Sequence, residues 1–257
     1  MSGPQMFARY AYAPNALGYC GPADAPALAG GTDAEIRAVA RRFSGAWPYL
    51  RVLSSMTGIG DPLDPRLVES YWLGGGVGAG IDRAEFLSEL LSVIGPIAGG
   101  YWRHLGPELA PESAPNHNFH VFGIYPWTRL LDRGPADLPL RVLDNCRISW
   151  ARVCARDATT ATVSVRRLRW SDSHLSLSAA SPRRIELAGA GIDAADVEVG
   201  DVEVGDHLAL HWDHICGRLD PTRVERLEAA TAWQLAATNR RLDPHSAPPA
   251  AGRSRAS

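Results

Sequence analysis

The chain has 257 residues, of which 46% are hydrophobic and 21% charged, and its formal net charge is −2. This length accommodates one large core or two small ones, and the balanced charge argues against a nucleic acid as the main partner. All 26 basic residues are arginines. Without lysine there is no Schiff-base lysine for ordinary pyridoxal-phosphate chemistry and no P-loop or kinase lysine for nucleotide phosphoryl transfer.

The apolar segments are too short for a membrane span. The longest, 86–98, is interrupted by polar residues and Pro96. The first five residues lack the charged and apolar regions of a signal peptide. We therefore predict a cytoplasmic protein with no membrane insertion. In the cytoplasm its cysteines are expected to be reduced thiols. The sequence has no CxxC pair, so a zinc knuckle is not expected. These cysteines are Cys20, Cys146, Cys154 and Cys216.

Helical patterns dominate the first 135 residues. Thr32 or Asp33 can cap a helix whose apolar residues recur at i, i+3, i+4 and i+7. Two shorter helices are predicted at 48–56 and 65–73, and the second opens with proline at its first position.

A further helix is predicted before the middle of the chain. Asp82 and Glu85 form a cap signal ahead of a strong apolar stripe, which should end or kink at Gly95. The segment 97–105 is predicted to continue it, and 106–116 to form a loop.

The segment 133–139 is rich in glycine and proline, which is typical of a domain boundary. After it the hydrophobic period changes from 3.6 to 2, which indicates strands. Five strands are predicted, at 140–155, 160–170, 173–178, 183–187 and 206–212.

The last part of the chain combines a duplication, a helix and a tail. A five-residue tandem repeat at 196–205 lengthens a loop, a helix follows at 221–239, and 242–257 is predicted to be a disordered tail. We therefore predict an α+β protein. An all-α domain at 1–135 precedes a small OB-like β-barrel with a C-terminal helix at 140–240.

One motif points to chemistry. A Val-Gly-Asp turn leads into an alternating strand that ends at His211, and Cys146 stands just before another predicted strand. A cysteine and a histidine at strand ends of one small barrel can meet and hold a soft metal. The sequence thus predicts a metal site at Cys146 and His211, with His214 and Cys216 as candidate additional ligands.

Residues 142–240 resemble the small hydrogenase maturation chaperones of the HypC/HupF type. Cys146 stands at the family cysteine, and a helix at 221–239 follows as in the family. The family's later signature, Val-Gly-Asp-Tyr-Val-Leu-Val-His, is matched in register by Val204, Gly205, Asp206, Leu208, Leu210 and His211.

This resemblance implies an OB-like barrel in which Cys146 and His211 help hold an iron that carries cyanide and carbon monoxide. It implies as partner the large subunit of NiFe hydrogenase or another maturation protein. In the family the cysteine lies beside the N-terminus, whereas here it is internal. The N-terminal part, at 7–15 and 116–127, resembles an uncharacterised actinobacterial family found near hydrogenase genes. We therefore expect an accessory chaperone protein that holds iron transiently and is not itself an enzyme.

Two other functions stay open. His117 and His120 lie three residues apart, which on a helical turn can bind a metal, so a metal-dependent enzyme is the first alternative. The second is a structural adaptor whose barrel keeps the fold without iron. Each site also has a simpler interpretation. Cys146 can be a buried thiol, and the histidines can tie loops and strands to backbone groups.

Overall fold

The computed structural model describes residues 1–95, 105–187 and 202–243. In these ranges helices come first, an antiparallel sheet follows, and a long helix comes last, which confirms the predicted α+β class. Residues 97–104 of the predicted helical continuation lie outside the described residues. So do 196–201 of the tandem repeat and the tail from 244 onwards.

The described residues contain eight α-helices, and α6 continues through a π-helical turn at His120–Ile124. None of these helices is both long and apolar enough to cross a membrane. The helices are α1 (Gly3–Ala16), α2 (Asp33–Ala40), α3 (Ala46–Thr57), α4 (Pro65–Leu73), α5 (Arg83–Ile94), α6 (His117–Phe119), α7 (Asp137–Cys146) and α8 (Pro221–Leu242).

Side-chain caps fix the predicted helix starts. Thr32 and Glu35 form a reciprocal capping box at α2. The Asp64 side chain accepts a backbone N–H in the first turn of α4, and Asp82 accepts the N–H of Glu85 in α5. The first backbone donors of a helix have no intrahelical partner, so the polar residue that satisfies them defines where the helix begins.

The strands form one five-stranded antiparallel sheet, in the order β5-β2-β1-β6-β7, and a separate β3-β4 hairpin. Strands β5 and β7 are the edges, and no pairing between them occurs among the described residues. The strands are β1 (Ser149–Arg156), β2 (Thr160–Val165), β3 (Leu168–Ser171), β4 (His174–Leu177), β5 (Ser181–Glu186), β6 (His207–His211) and β7 (His214–Leu219).

The predicted strand over 140–155 is wrong in its first part, because the residues up to Cys146 belong to α7. Strand β1 begins only at Ser149, so Cys146 ends a helix and does not adjoin a strand. The sequence contains the reason. The buried residues of α7 include a set at i, i+3, i+4 and i+7, which is a helical period. These are Pro139, Val142, Leu143 and Cys146.

Two further strand predictions need correction. The segment 160–170 is divided between β2 and β3, and β7 was not predicted. β7 has no simple alternation, because the register with β6 shifts beside Ala209 and glycine occupies position 217. Strand alternation is the signal that sequence analysis uses, and a bulge removes it.

Helices and sheet share a core. The largest cluster of buried residues joins aromatic side chains of α1, α3 and α4 to residues of the sheet. The sheet contributes Ala209, Cys216 and Leu219, and Ile148 joins them just before β1. Helix α8 packs back on the helical part, where Thr231 accepts a hydrogen bond from Asn118 and Arg241 pairs with Glu112. The predicted boundary near 135–140 is therefore crossed by a continuous core.

A buried ion pair ties α7 to the β3 region. Arg147 is 1% exposed and its Nε donates to Asp144 Oδ1 at 3.0 Å. Asp144 also pairs with Arg167 and accepts the Leu168 N–H at 2.9 Å. This carboxylate thus neutralises a fully enclosed guanidinium, and removing one partner of such a pair costs more than the pair itself contributes.

We expect Asp144→Ala to lower the free energy of unfolding by about 3–5 kcal/mol, because Arg147 would stay buried without its counter-charge. Urea denaturation measures this. Arg184→Ala is the matched control, since Arg184 and Asp157 form an exposed pair at 3.4 Å that contributes less than about 1 kcal/mol. Equal losses in the two variants would contradict the prediction.

Candidate functional site

His117 and His120 lie on consecutive turns of the α6 segment. The Asn116 side chain caps α6 by accepting the N–H groups of Asn118 and Phe119. Both nitrogens of His117 have partners: Nδ1 lies 3.1 Å from the Tyr71 hydroxyl and Nε2 lies 2.9 Å from the Cys146 carbonyl oxygen. His117 therefore joins α6 to α4 and α7.

Pro14 of α1 positions His211, the third histidine of the site. A proline has no N–H, so the carbonyl of Tyr10, one turn earlier in α1, lacks its usual helical donor. His211 at the end of β6 lies with Nδ1 2.6 Å from this carbonyl oxygen. A carbonyl only accepts, so Nδ1 carries the proton and donates it, and Nε2 of His211 is the unprotonated nitrogen.

The three histidines, which the sequence assigns to two separate sites, form one cluster. The ring centroids of His117 and His211 are 5.3 Å apart, and those of His117 and His120 are 5.8 Å apart. Trp72 packs against the cluster, with its centroid 4.6 Å from that of His117. Neither nitrogen of His120, nor Nε2 of His211, has a hydrogen-bond partner among the described residues.

Burial keeps these imidazoles neutral. It lowers the pKa of His120 to about 4 and that of His211 to about 4. The pKa of His117 falls well below its usual value, first through burial and then through the neighbouring histidines. The edge of the cluster is tight, because a Cβ at Gly45 would lie 2.8 Å from His120 Nε2. Only glycine at position 45 leaves room for this ring.

The two cysteines of the predicted metal site have apolar surroundings. Cys146 packs among residues of α6, α7 and β3, and burial raises the pKa of its thiol to about 12. Its carbonyl contacts His117, so Cys146 approaches the histidine cluster through its main chain. Cys216 is also buried, and burial raises its thiol pKa. Both thiols are protonated at neutral pH, whereas a metal ligand must be a thiolate.

His214 faces His211 across the β6–β7 hairpin. The two residues are register partners, so they occupy the same side of the sheet. The hairpin turn is Trp212-Asp213, and both residues have positive φ, 52° and 62°. Burial lowers the pKa of His214, whose ring lies 5.3 Å from that of Tyr12.

These residues do not form a ligand set in their described positions. No group of three or more histidine, cysteine, aspartate or glutamate side chains in the described ranges is placed to hold a metal ion. Cys146 and His211 would supply only two donors, and the thiol would first have to lose its proton. The proposed iron role therefore stays a prediction, and we derive no chemical step through iron.

A separate cleft of about 570 Å³ opens between the helices and the sheet. Its walls come from α1, α4, the glycine turn after α4, β7 and the start of α8. The volume lies in the range of ligand sites in proteins. Five arginines line it against a single acidic residue, Glu69; these are Arg9, Arg66, Arg218, Arg223 and Arg226.

Glu69 holds two of these arginines at once. Its Oε2 accepts from Arg223 at 2.7 Å, and its Oε1 accepts from Arg226 at 3.2 Å. Three further carboxylates pair with the lining arginines: Asp64 with Arg66, Asp206 with Arg218 and Asp220 with Arg223. The five arginines of the cleft therefore meet four carboxylates, and arginines remain in excess.

The glycines after α4 let the backbone of this cleft wall lie close to α8. Gly74, Gly75 and Gly76 all have positive φ. A Cβ at Gly75 would lie 3.3 Å from the Arg226 side chain. No local sequence pattern predicts the whole cleft, because its arginines come from four distant segments. A local signal was present in Arg223 and Arg226, which are three residues apart and so share a helix face.

The fold and its sites define an α+β protein with a buried histidine cluster and an arginine-lined cleft between helices and sheet. The chain belongs to DUF6390, a family of unknown function whose model matches residues 1–245. The match includes the helices, the sheet and α8, so the family corresponds to the whole unit and not to one of the predicted domains. No curated protein and no solved structure matches the chain.

The histidine cluster predicts acid sensitivity. The pKa values of His120 and His211 are lower in the folded protein than the ordinary 6.5 expected after unfolding. The unfolded chain thus binds more protons below that value. The stability that comes from neutral histidines is complete above about pH 6.5 and is lost as the pH falls towards 4, by roughly 3 kcal/mol for each residue.

Urea denaturation at several pH values tests this with His120→Leu, which has no imidazole to protonate. We expect the wild-type protein to lose about 3 kcal/mol more than this variant between pH 7 and pH 4. His174→Leu is the control, because His174 is exposed on β4. Parallel pH profiles for the wild type and His120→Leu would contradict the prediction.

The different exposure of the four cysteines predicts which thiol reacts first. Cys154 is exposed, whereas Cys146 and Cys216 are buried and Cys20 is half-buried. We expect Ellman's reagent to modify one thiol rapidly in the native protein and Cys154→Ser to abolish this fast phase. Urea should release the remaining thiols. A fast phase that persists in Cys154→Ser would show that another cysteine is accessible and would contradict the prediction.

Proposed function

We propose that this protein is a binding protein that captures an anionic group of its partner in the arginine-lined cleft. The observation that carries the proposal is the arrangement of five arginines around one cavity that contains a single carboxylate, Glu69. Guanidinium groups bind carboxylates and phosphates through paired, charge-assisted hydrogen bonds.

Glu69 and Asp220 together engage all three guanidinium nitrogens of Arg223. Arg226 contacts Glu69 through one nitrogen and keeps donors for a second acceptor. A ligand anion therefore meets arginines that are already oriented, which lowers the entropy cost of binding.

Binding, and not catalysis, is the role that the other cleft groups favour. Burial raises the pKa of the Tyr10 hydroxyl and of the Cys216 thiol, so both are protonated at neutral pH. In that state they donate hydrogen bonds and are poor nucleophiles. The alternative of an enzyme built on His117 and His120 is less favoured, because both nitrogens of His117 already have partners.

Isothermal titration with citrate and with pyrophosphate tests the proposal. We expect both anions to bind, more weakly at high salt, and Arg226→Gln to weaken binding about tenfold, since it removes one charge-assisted contact. Glu69→Gln should strengthen binding, because it removes the competing carboxylate.

Arg184→Gln is the matched control for this titration. It removes the same charge from β5, on the opposite edge of the sheet. Absence of binding in the wild type, or equal effects of Arg226→Gln and Arg184→Gln, would refute an anion site in the cleft.

A second candidate function is an accessory role in NiFe hydrogenase maturation in the cytoplasm. It is supported by the HypC-like order of a turn at 204–206, a strand that ends at His211, and a terminal helix, α8. In this proposal the sheet is an OB-like barrel that binds the hydrogenase large subunit, with Cys146 and His211 as the iron residues.

Deletion of the gene tests the second candidate, with hydrogenase activity and large-subunit processing as readouts. Normal hydrogenase in the deletion strain eliminates it. If the deletion impairs hydrogenase, Cys146→Ala separates an iron carrier, which fails, from an adaptor, which works. Point variants are preferable to removal of 142–240, because the sheet shares its core with the helices.

A further inference from the structure

We infer that the partner captured in the cleft is an organic anion with one negative charge on an apolar body, such as a medium-chain carboxylate. This inference rests on the proposed anion binding and specifies the chemical class of the ligand. It has three grounds: the balance of charges around the cleft, the apolar share of its walls, and the place where an available guanidinium meets that apolar surface.

The charges around the cleft nearly cancel. Four carboxylates pair with the lining arginines, of which there are five, so by count one positive charge remains. A ligand with one negative charge restores the balance. An anion of higher charge would place its further charges close to carboxylates that are already present, and like charges repel. The count therefore favours a monoanion.

Arg226 is the arginine that can take up the charge of the ligand. It contacts Glu69 through Nη1, and no other acceptor contacts its guanidinium among the described residues. Its Nε and Nη2 therefore keep donors that a carboxylate can engage through two parallel hydrogen bonds. The Arg226 side chain is 40% exposed, so a ligand can reach it.

Much of the remaining wall is apolar. Met6 of α1 and Val77 of the glycine turn are only half-buried, so both present apolar surface to the cleft. Leu73 of α4 and the β7 residues Ile215 and Leu219 line it more deeply. A hydrocarbon body that covers such surface removes it from water, which is favourable. An inorganic anion has no hydrocarbon and would leave this wall in contact with water.

The available guanidinium and the apolar wall are neighbours. A Cβ at Gly76 would lie 4.0 Å from Arg226 Nη1, and Val77 is the next residue in the chain. A carboxylate bound to Arg226 would thus bring its hydrocarbon to Val77. The cleft of about 570 Å³ has room for an organic body, since one water molecule takes up only ~30 Å³.

Isothermal titration of the full-length protein with straight-chain carboxylates, from butanoate to octanoate, tests the apolar part. We expect the affinity to rise about three- to fourfold with each added methylene, because each one is buried against the wall. Octylammonium has a similar chain and the opposite charge, and should bind at least tenfold more weakly than octanoate. An affinity that stays constant from butanoate to octanoate would overturn the inference, and so would equal binding of octanoate and octylammonium.

Two substitutions separate the charged group of the ligand from its chain. Arg226→Gln should weaken butanoate and octanoate by the same factor, about tenfold, because both lose the same contact. Val77→Thr keeps the shape of valine but adds a hydroxyl to the apolar wall. It should weaken octanoate about threefold. Unchanged binding of citrate would show that this variant is folded.

Val204→Thr is the matched control for Val77→Thr, because Val204 is 61% exposed and lies outside the cleft lining. It should leave the affinity for octanoate unchanged. Equal effects of the two threonine variants on octanoate would overturn the placement of the chain in the cleft, and with it the inference.

These outcomes also separate the inference from the proposed function. If citrate and pyrophosphate bind and chain length has no effect, the cleft is an anion site without an apolar preference, and only the inference fails. If none of these anions binds, the proposed function fails and the inference fails with it.

Discussion

The hydrogen bond between the His211 imidazole and the Tyr10 carbonyl organises the structure. It joins the end of β6 to α1, and therefore the sheet to the first helix of the chain. The Tyr10 carbonyl can accept this bond because Pro14 has no N–H to donate to it within the helix. The cleft lies next to this junction, between α1 and β7, so its width depends on how α1 is held against the sheet. A proline in the last turn of a helix, usually a defect, here provides the acceptor.

The second constraint is that the buried histidines carry no charge. The histidines that join α1, α4, α6, α7 and β6 lie in the same aromatic environment and must stay neutral there. The cleft arginines lie away from this cluster, on α1, α4, β7 and the first turns of α8. Arg223 near the start of α8 pairs with Glu69, and Arg241 near its end pairs with Glu112. The long helix thus links the cleft to the segment that holds the histidines.

Much of the architecture could be predicted from local signals. The caps at Thr32, Asp64 and Asp82 mark helix starts because they satisfy specific backbone donors, and the Asp-Pro start of α8 is equally clear. Two errors followed from periodicity. Residues 140–146 fit both a strand and a helix pattern, and the bulge in β7 removed the alternation that would have revealed it.

The candidate sites were harder to predict, because long-range contacts create them. His117, His120 and His211 were all noted in the sequence, yet nothing local indicates that a proline near the N-terminus would bring the third to the first two. The cleft arginines come from separate helices and one strand, and only the topology collects them. Cys146 differs from the histidines, because its position in the motif was informative. The protonation state of its thiol, however, depends on burial, which the packing of α7 determines.

The Trp212-Asp213 turn has a consequence for how the β6–β7 hairpin forms. Left-handed backbone costs about 1–2 kcal/mol for each residue that has a side chain, and hairpin turns of this kind usually contain asparagine and glycine. Here Asp213 pairs with Arg183 of β5, and the Trp212 ring stacks on Tyr19 with centroids 4.0 Å apart. These partners come from the far edge of the sheet and from the segment after α1. The conformation of the turn is therefore stabilised by contacts from outside the hairpin, so the turn depends on the packing of β5 and of the segment after α1.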